Sequence, residues 1–214
     1  MMSQKIVQID PEKPQKAFID EAVRVIKSGG VIAFPTHSLY GLGADALNPK
    51  AVQKLFEIKK RPLDKPILVL VKDIDSIKEI AENIPQSAER IMEKFWPGSV
   101  TIILKAIPDL PNALTAGTGK IGVRIPQNTV AFELVKAFGN PLTGTSANIS
   151  GEQGCSNISD LHMDIKTQLD LILDAGALKK GKGSTVVDVT VHPPNILRDG
   201  EVLATAIQDL FTAS

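Results

Sequence analysis

"VIAFPTHSLYGLGADA", residues 31–46, decides the fold class. It opens on an apolar run that ends in Pro35, the mark of a short buried strand. Directly past that strand, Thr36, His37, Ser38 and Tyr40 sit in a glycine-rich turn. Polar turns beyond the carboxyl ends of strands are where open α/β sheets hold their ligands. The same hydroxyls also suit a plain turn that bonds its own backbone, and local chemistry leaves the two readings even.

Working outward, "AFIDEAVRVIKSGG" places apolar residues at helical spacing and stops at Gly29-Gly30. "NPKAVQKLFEIKK" predicts a helix capped by Asn48, with Pro49 at its first position, closing at Pro62. "ILVLV" reads as a second buried strand, and "PQSAERIMEKFWPG" as a helix with a Pro-Gly stop before the strand "SVTIILK". Beyond it the pattern predicts strand "IGVRIP", helix "TVAFELVKAFG", strand-into-loop "PLTGTS" and strand "DLILDAG". "STVVDVT" and "NILRDG" are late β-segments before a short C-terminal helix. Strands and helices mix without a strict βαβ rhythm, repeat or linker, so one α/β domain over residues 1–214 is expected.

Composition narrows the function. Apolar residues make up 43% and charged residues 22%, an ordinary globular balance. The 24 basic and 24 acidic residues cancel, so any polyanion must be met by a local patch. Aromatics at 4% argue against a base-stacking platform. Cys155 is the lone cysteine, and with His37, His162 and His192 it shows no metal-ligand spacing. The polar start "MMSQKIVQIDPEKPQK" does not read as a signal peptide, and "ILVLV" is far too short for a membrane span. A soluble, cytosolic protein is expected.

Several nucleotide and nucleophile motifs fail on inspection. "GALKKGKG" has Gly183 where a P-loop needs Ser or Thr, and a strand follows instead of a helix, so a mobile basic turn is the better reading. "GTSANIS" lacks the second glycine of a nucleophile elbow, and no histidine has an evident role as its base. What stays is "EIKKRPLDKPI", residues 57–67, in which Lys59, Lys60 and Arg61 meet Pro62. Cations in a last helical turn complement its dipole. A Pro-pinned Lys-x-Arg also aims a point charge and a planar fork at one place, a pair suited to polyphosphate. "TSANISG" gathers neutral donors and acceptors able to hold phosphate oxygens or a ribose, or to form an ST-turn or Asx-turn. Arg124 sits inside the apolar strand "IGVRIP" and requires an anion, either a ligand's carboxylate or an internal Asp. Arg198 in "NILRDG" poses the same question more weakly.

These loops, in this order, resemble the YrdC-like family, which includes the bacterial threonylcarbamoyl-AMP synthases. The matching pieces are "PTHSLYGLGADA", "KKRPLDKPI", "FWPGSVTIIL", "IGVRIP", "TSANISG", "STVVDVT" and "ILRDG", from about residue 20 to about 200. The resemblance implies a single-domain α/β (α+β) fold whose twisted mixed sheet, flanked by helices, lines a large positive concave cleft. It implies a nucleotidyltransferase that joins ATP, bicarbonate and L-threonine, with Mg²⁺, into threonylcarbamoyl-AMP and pyrophosphate. Partner proteins then pass the threonylcarbamoyl group to tRNA, and some members were first described as binders of double-stranded RNA or tRNA.

Carried over by position, Lys59, Arg61, Ser146 and Asn148 would be the catalytic set around the ATP phosphates. Leu63, Lys120 and Arg198 would add nucleotide contacts. Thr36, Tyr40, Arg124, Gly144 and Ser184 would form the threonine pocket, with Arg124 on its carboxylate. Lys60 is expected to face solvent. Two departures stand out: His37-Ser38 replaces the family's acidic residue followed by Thr or Ala, and Leu70 stands where longer relatives carry His. With no second domain before Ser214, the chain resembles the short type. A non-catalytic RNA-binding module using the same cleft is the alternative; a domain forming a carbamoyl-adenylate from another donor, as in a hydrogenase-maturation enzyme, is a third.

Overall fold

The computed structural model describes residues 5–179 and 181–212; residues 1–4, Lys180 of the basic turn and residues 213–214 lie outside the described residues. The first half carries β1 (Lys5–Gln8), α1 (Lys16–Lys27), β2 (Ile32–Pro35), β3 (Tyr40–Gly43), α2 (Pro49–Lys59), β4 (Val69–Leu70), α3 (Gln86–Phe95) and β5 (Val100–Lys105). The second carries α4 (Asn112–Thr115), β6 (Lys120–Arg124), α5 (Thr129–Phe138), β7 (Leu142–Thr143) and β8 (Thr145–Ser146). It closes with α6 (Met163–Lys166), β9 (Leu171–Asp174), β10 (Thr185–Asp188), β11 (Asn195–Arg198) and α7 (Ala204–Thr212).

The mixed α/β class holds, but hydrogen bonding divides the strands between two sheets. One runs β1-β9-β2-β3-β8 and the other β11-β10-β5-β6-β4-β7. Both are mixed: β2 is parallel to β9 and antiparallel to β3, while β5 is parallel to β10 and antiparallel to β6. The sheets meet at Gly144, the single residue between β7 and β8. A Cβ there would lie 2.8 Å from Leu70 Cγ and 2.9 Å from Leu68 Cδ1, so only glycine fits without displacing them.

Helix α1 buries Ile19, Ala22, Val23 and Ile26, a stripe at helical spacing, and packs with α5 on one face of the first sheet. Each such aliphatic side chain stabilises the fold by about 1.5–3 kcal/mol on burial. Asn48 caps α2 as expected, accepting from Lys50 and Ala51 N–H at 3.0 and 3.3 Å. The helix ends on Lys60 in a left-handed conformation, φ 48°. That reversal sends consecutive cations in different directions: Lys59 is buried, while Lys60 is exposed and paired with Asp164 at 2.8 Å.

Two strands were not expected. Tyr40–Gly43, read as turn, forms a hairpin with β2 in which Gly41 lies opposite Phe34. Its glycines mask the strand signal but make room for the ring: a Cβ on Gly43 would sit 2.9 Å from Phe34 Cε1. The polar stretch Lys5–Gln8 pairs with β9 as an edge strand, burying Val7 alone. Among the described residues no helix is long and apolar enough to cross a membrane.

Candidate active site

A cavity of about 580 Å³ opens beside the junction of the sheets. The β2–β3 turn and β8 line one side; β5, β6, β10 and β11 line the other. Arg61, Lys120, Arg124, Lys182 and Arg198 reach the lining, against the single carboxylate of Asp188. A chain of zero net charge thus concentrates positive charge in one concavity.

Arg124 occupies the last position of β6 and is only 9% exposed. Its Nε is buried without a hydrogen-bond partner among the described residues. Its side chain lines both the main cavity and a water-sized adjoining pocket shared with Thr36, His37, Ser99 and Asn128. Burial, and next the like charge of Arg198, pull the guanidinium down to about 10. Of the two anions the strand position allowed, no internal Asp pairs with it among the described residues. A guanidinium so placed is a preformed anion acceptor.

Neighbouring groups are more fully engaged. Arg198 donates through Nε and Nη2 to Ser184 O at 3.0 and 2.7 Å, and through Nη2 to Ser184 Oγ at 3.0 Å. Ser184 Oγ also lies 2.8 Å from Thr101 Oγ1. Lys120 pairs with Asp188 at 2.8 Å. Burial raises the Asp188 carboxyl, but hydrogen bonds from Lys120 and Thr190 outweigh it and leave it below the usual range. Asp188 was missed from sequence, although a charge inside the apolar strand "STVVDVT" is the signal that had found Arg124.

Arg61 lines the cavity while Nε and Nη2 donate to the carbonyls of Lys65 and Pro66 at 2.9 and 2.8 Å, bracing the loop after α2. Lys59 does not reach the lining: it is 1% exposed, and Nζ donates to the carbonyls of Ser146 and Asn148 at 2.5 and 2.8 Å. Ser146 lines the cavity. Asn148 lies behind it, its amide donating to the carbonyls of Ile149 and Glu152 and its Oδ1 buried without a partner among the described residues. Leu63 is 67% exposed and outside the lining.

Thr36 closes the β2–β3 turn by donating N–H and Oγ1 to Leu39 O, and with Gly144 it lines the cavity. Tyr40 is in the lining too, but its hydroxyl is spent elsewhere, 2.7 Å from Gly176 O and accepting from Ala175 N–H at 2.9 Å. Burial raises that hydroxyl's pKa well above its usual value. Ser38 is buried, and exposed His37 lines the cavity beside it. The basic turn also contributes: Glu201, missed from sequence, accepts from Lys182 N–H at 2.8 Å and holds Lys182 and Gly183 in the wall. Among the described residues no group of three or more His, Cys, Asp or Glu is arranged to hold a metal.

The family model Sua5_yciO_yrdC, described as "Telomere recombination", matches residues 24–200. The chain is 36% identical over 179 residues to the threonylcarbamoyl-AMP synthase of Pyrococcus abyssi, covering 84% of this chain and 53% of that protein. It is 35% identical over 191 residues to that of Bacillus subtilis, covering 89% and 55%. The chain thus spans about half the length of these curated relatives. The crystal structure of P. abyssi Sua5 complexed with L-threonine superposes with a TM-score of 0.91 at 32% identity, covering 99% of this chain and 61% of that one.

Proposed function

The chain belongs to the Sua5/YciO/YrdC family, and from that premise we propose that it is an L-threonylcarbamoyladenylate synthase, a nucleotidyltransferase acting on ATP, bicarbonate and L-threonine. One observation carries the reading: the buried guanidinium of Arg124, whose Nε has no partner among the described residues, in a cavity that is otherwise rich in cations. A free amino acid offers a carboxylate to that fork, and the relative solved with L-threonine shares the fold over nearly all of this chain. Thr36, Gly144 and Ser184 surround the amino acid; Arg61, Ser146, Lys120 and Arg198 face the nucleotide.

The chemistry asks for positioning and charge neutralisation. The threonine amine and bicarbonate condense to a carbamate with loss of water. A carbamate oxygen attacks the α-phosphorus, the α–β phosphoanhydride bond breaks, and pyrophosphate leaves. Cations at the phosphates stabilise the charge that builds there, each contributing on the order of 3 kcal/mol to the transition state. Magnesium would enter with ATP and neutralise phosphate charge; Asp188, the carboxylate in the lining, is already paired with Lys120. In this reading the product passes to proteins that modify tRNA, and the work is done in the cytoplasm.

The test follows the carbon of bicarbonate. With ¹⁴C-bicarbonate, Mg-ATP and L-threonine, label is expected in an adenylate containing threonine, and not when threonine is omitted. Folded protein that leaves all label in bicarbonate refutes the proposal.

A further inference from the structure

Lys59 faces neither solvent nor cavity. It grips the loop after β8 by side chain and main chain together: Nζ donates to the carbonyls of Ser146 and Asn148, and its own carbonyl accepts from Ser150 N–H at 2.8 Å. No carboxylate pairs with it among the described residues. The loop it grips offers only neutral groups up to Glu152, α6 offers Asp164, which is committed to Lys60, and the nearest charge on its own segment is Arg61, of like sign. Buried cations are ordinarily paired. Two carbonyl dipoles accept from two of the three N–H donors of this one and leave its charge uncompensated.

We propose that Lys59 is a positioning residue whose charge is completed by the substrate: it ties the Ser146–Ser150 loop to the end of α2 and takes up a proton when a polyphosphate settles on Arg61 and Ser146. The proposal rests on the reading that ATP phosphates occupy that wall. Burial, and next the charge of Arg61, push the free amine down to about 7. In the empty site at pH 8 it is therefore mostly neutral, still able to donate to both carbonyls. The polyphosphate of Mg-ATP, a dianion overall at this pH, favours the ammonium form as it arrives beside Arg61, and the proton comes from solvent. Lys59 thus acts through the loop that presents Ser146, in place of a direct phosphate contact.

Calorimetry of Mg-ATP binding at pH 8, in two buffers of different ionisation enthalpy, reads the proton directly, because Mg-ATP itself is fully ionised there. Wild type is expected to take up a large fraction of a proton per nucleotide, set by the fraction neutral in the free protein. Lys59→Arg, which keeps the cation but cannot titrate, and Lys59→Met should both bind with essentially no uptake. His37→Asn, which removes an exposed histidine from the cavity lining, should retain it. Wild type that binds Mg-ATP with no proton uptake, or uptake that persists in Lys59→Arg, overturns the proposal. Wild type that does not bind Mg-ATP overturns the nucleotide reading itself, a separate result.

Discussion

Arg124 and Lys120 stand at opposite ends of β6 and line the same cavity, yet they are in opposite electrostatic conditions. Lys120 has a carboxylate at 2.8 Å and is partly exposed. Arg124 is buried and its Nε bonds to nothing among the described residues. The strand supplies both cations, but the fold supplies a counter-ion to only one. A paired cation contributes to holding β10 against its neighbours; an unpaired buried one is a cost the fold carries until a ligand arrives. The difference teaches where to expect function: at the charge the protein leaves uncompensated.

The comparison breaks hardest at Arg124. Arg124→Met should lower threonine-dependent pyrophosphate release at least a hundredfold, on the order of 3 kcal/mol of transition-state stabilisation. Because it removes a buried charge without a partner, the variant should unfold at a denaturant concentration equal to or above that of wild type. Loss of activity together with loss of stability would assign Arg124 to the scaffold instead.

Next in size is Gly144, where the sheets join and which lines the same cavity. Gly144→Ala places a methyl 2.8 Å from Leu70 Cγ, an overpacking that should cost about 1–3 kcal/mol by chemical denaturation and raise the KM for threonine. Lys59 adds a pH signature. Its folded pKa is depressed, so from about pH 7 up to the ordinary lysine value the unfolded chain binds more protons than the native one, and stability must rise with pH across that window. Between pH 7 and 9 wild type should gain about 1–2 kcal/mol relative to Lys59→Met, read from urea unfolding at both values.

Lys120 sharpens the contrast from its other side. Lys120→Met leaves Asp188 without its ion-pair partner, and, with screening at a partly exposed site, should cost under about 1 kcal/mol at neutral pH. Asp188 has a lowered folded pKa, so the difference should be full above the ordinary carboxylate value and fade as pH falls through the folded one. Pyrophosphate release should fall only about tenfold, less than for an unpaired phosphate cation, because the charge of Lys120 is already shared with Asp188. Leu63→Ala, far out on the exposed loop, should change release least of all.

How far this contrast was legible in the sequence depended on the kind of signal. Arg124 announced itself as a charge in an apolar strand; Asp188, in "STVVDVT", carried the same signal and went unread. The helices α1 and α2 were legible because their apolar spacing, the Asn48 cap and the Pro62 stop agree with one another. Strand β3 was hidden because Gly41 and Gly43 lack the β-branched or aromatic side chains that mark strands, their place being taken by the Phe34 ring across the hairpin. The direction of Lys59 was not readable at all. It depends on Lys60 adopting a left-handed conformation, rare for a residue with a Cβ, and on carbonyls of Ser146 and Asn148 far along the chain.

The most direct test is pyrophosphate release from Mg-ATP by wild type and Arg124→Met, each with and without L-threonine and bicarbonate. Release that requires both co-substrates and collapses in a variant as stable as wild type is the predicted result. Release indifferent to threonine, or undiminished in folded Arg124→Met, would contradict the assignment of the unpaired guanidinium as the amino-acid acceptor.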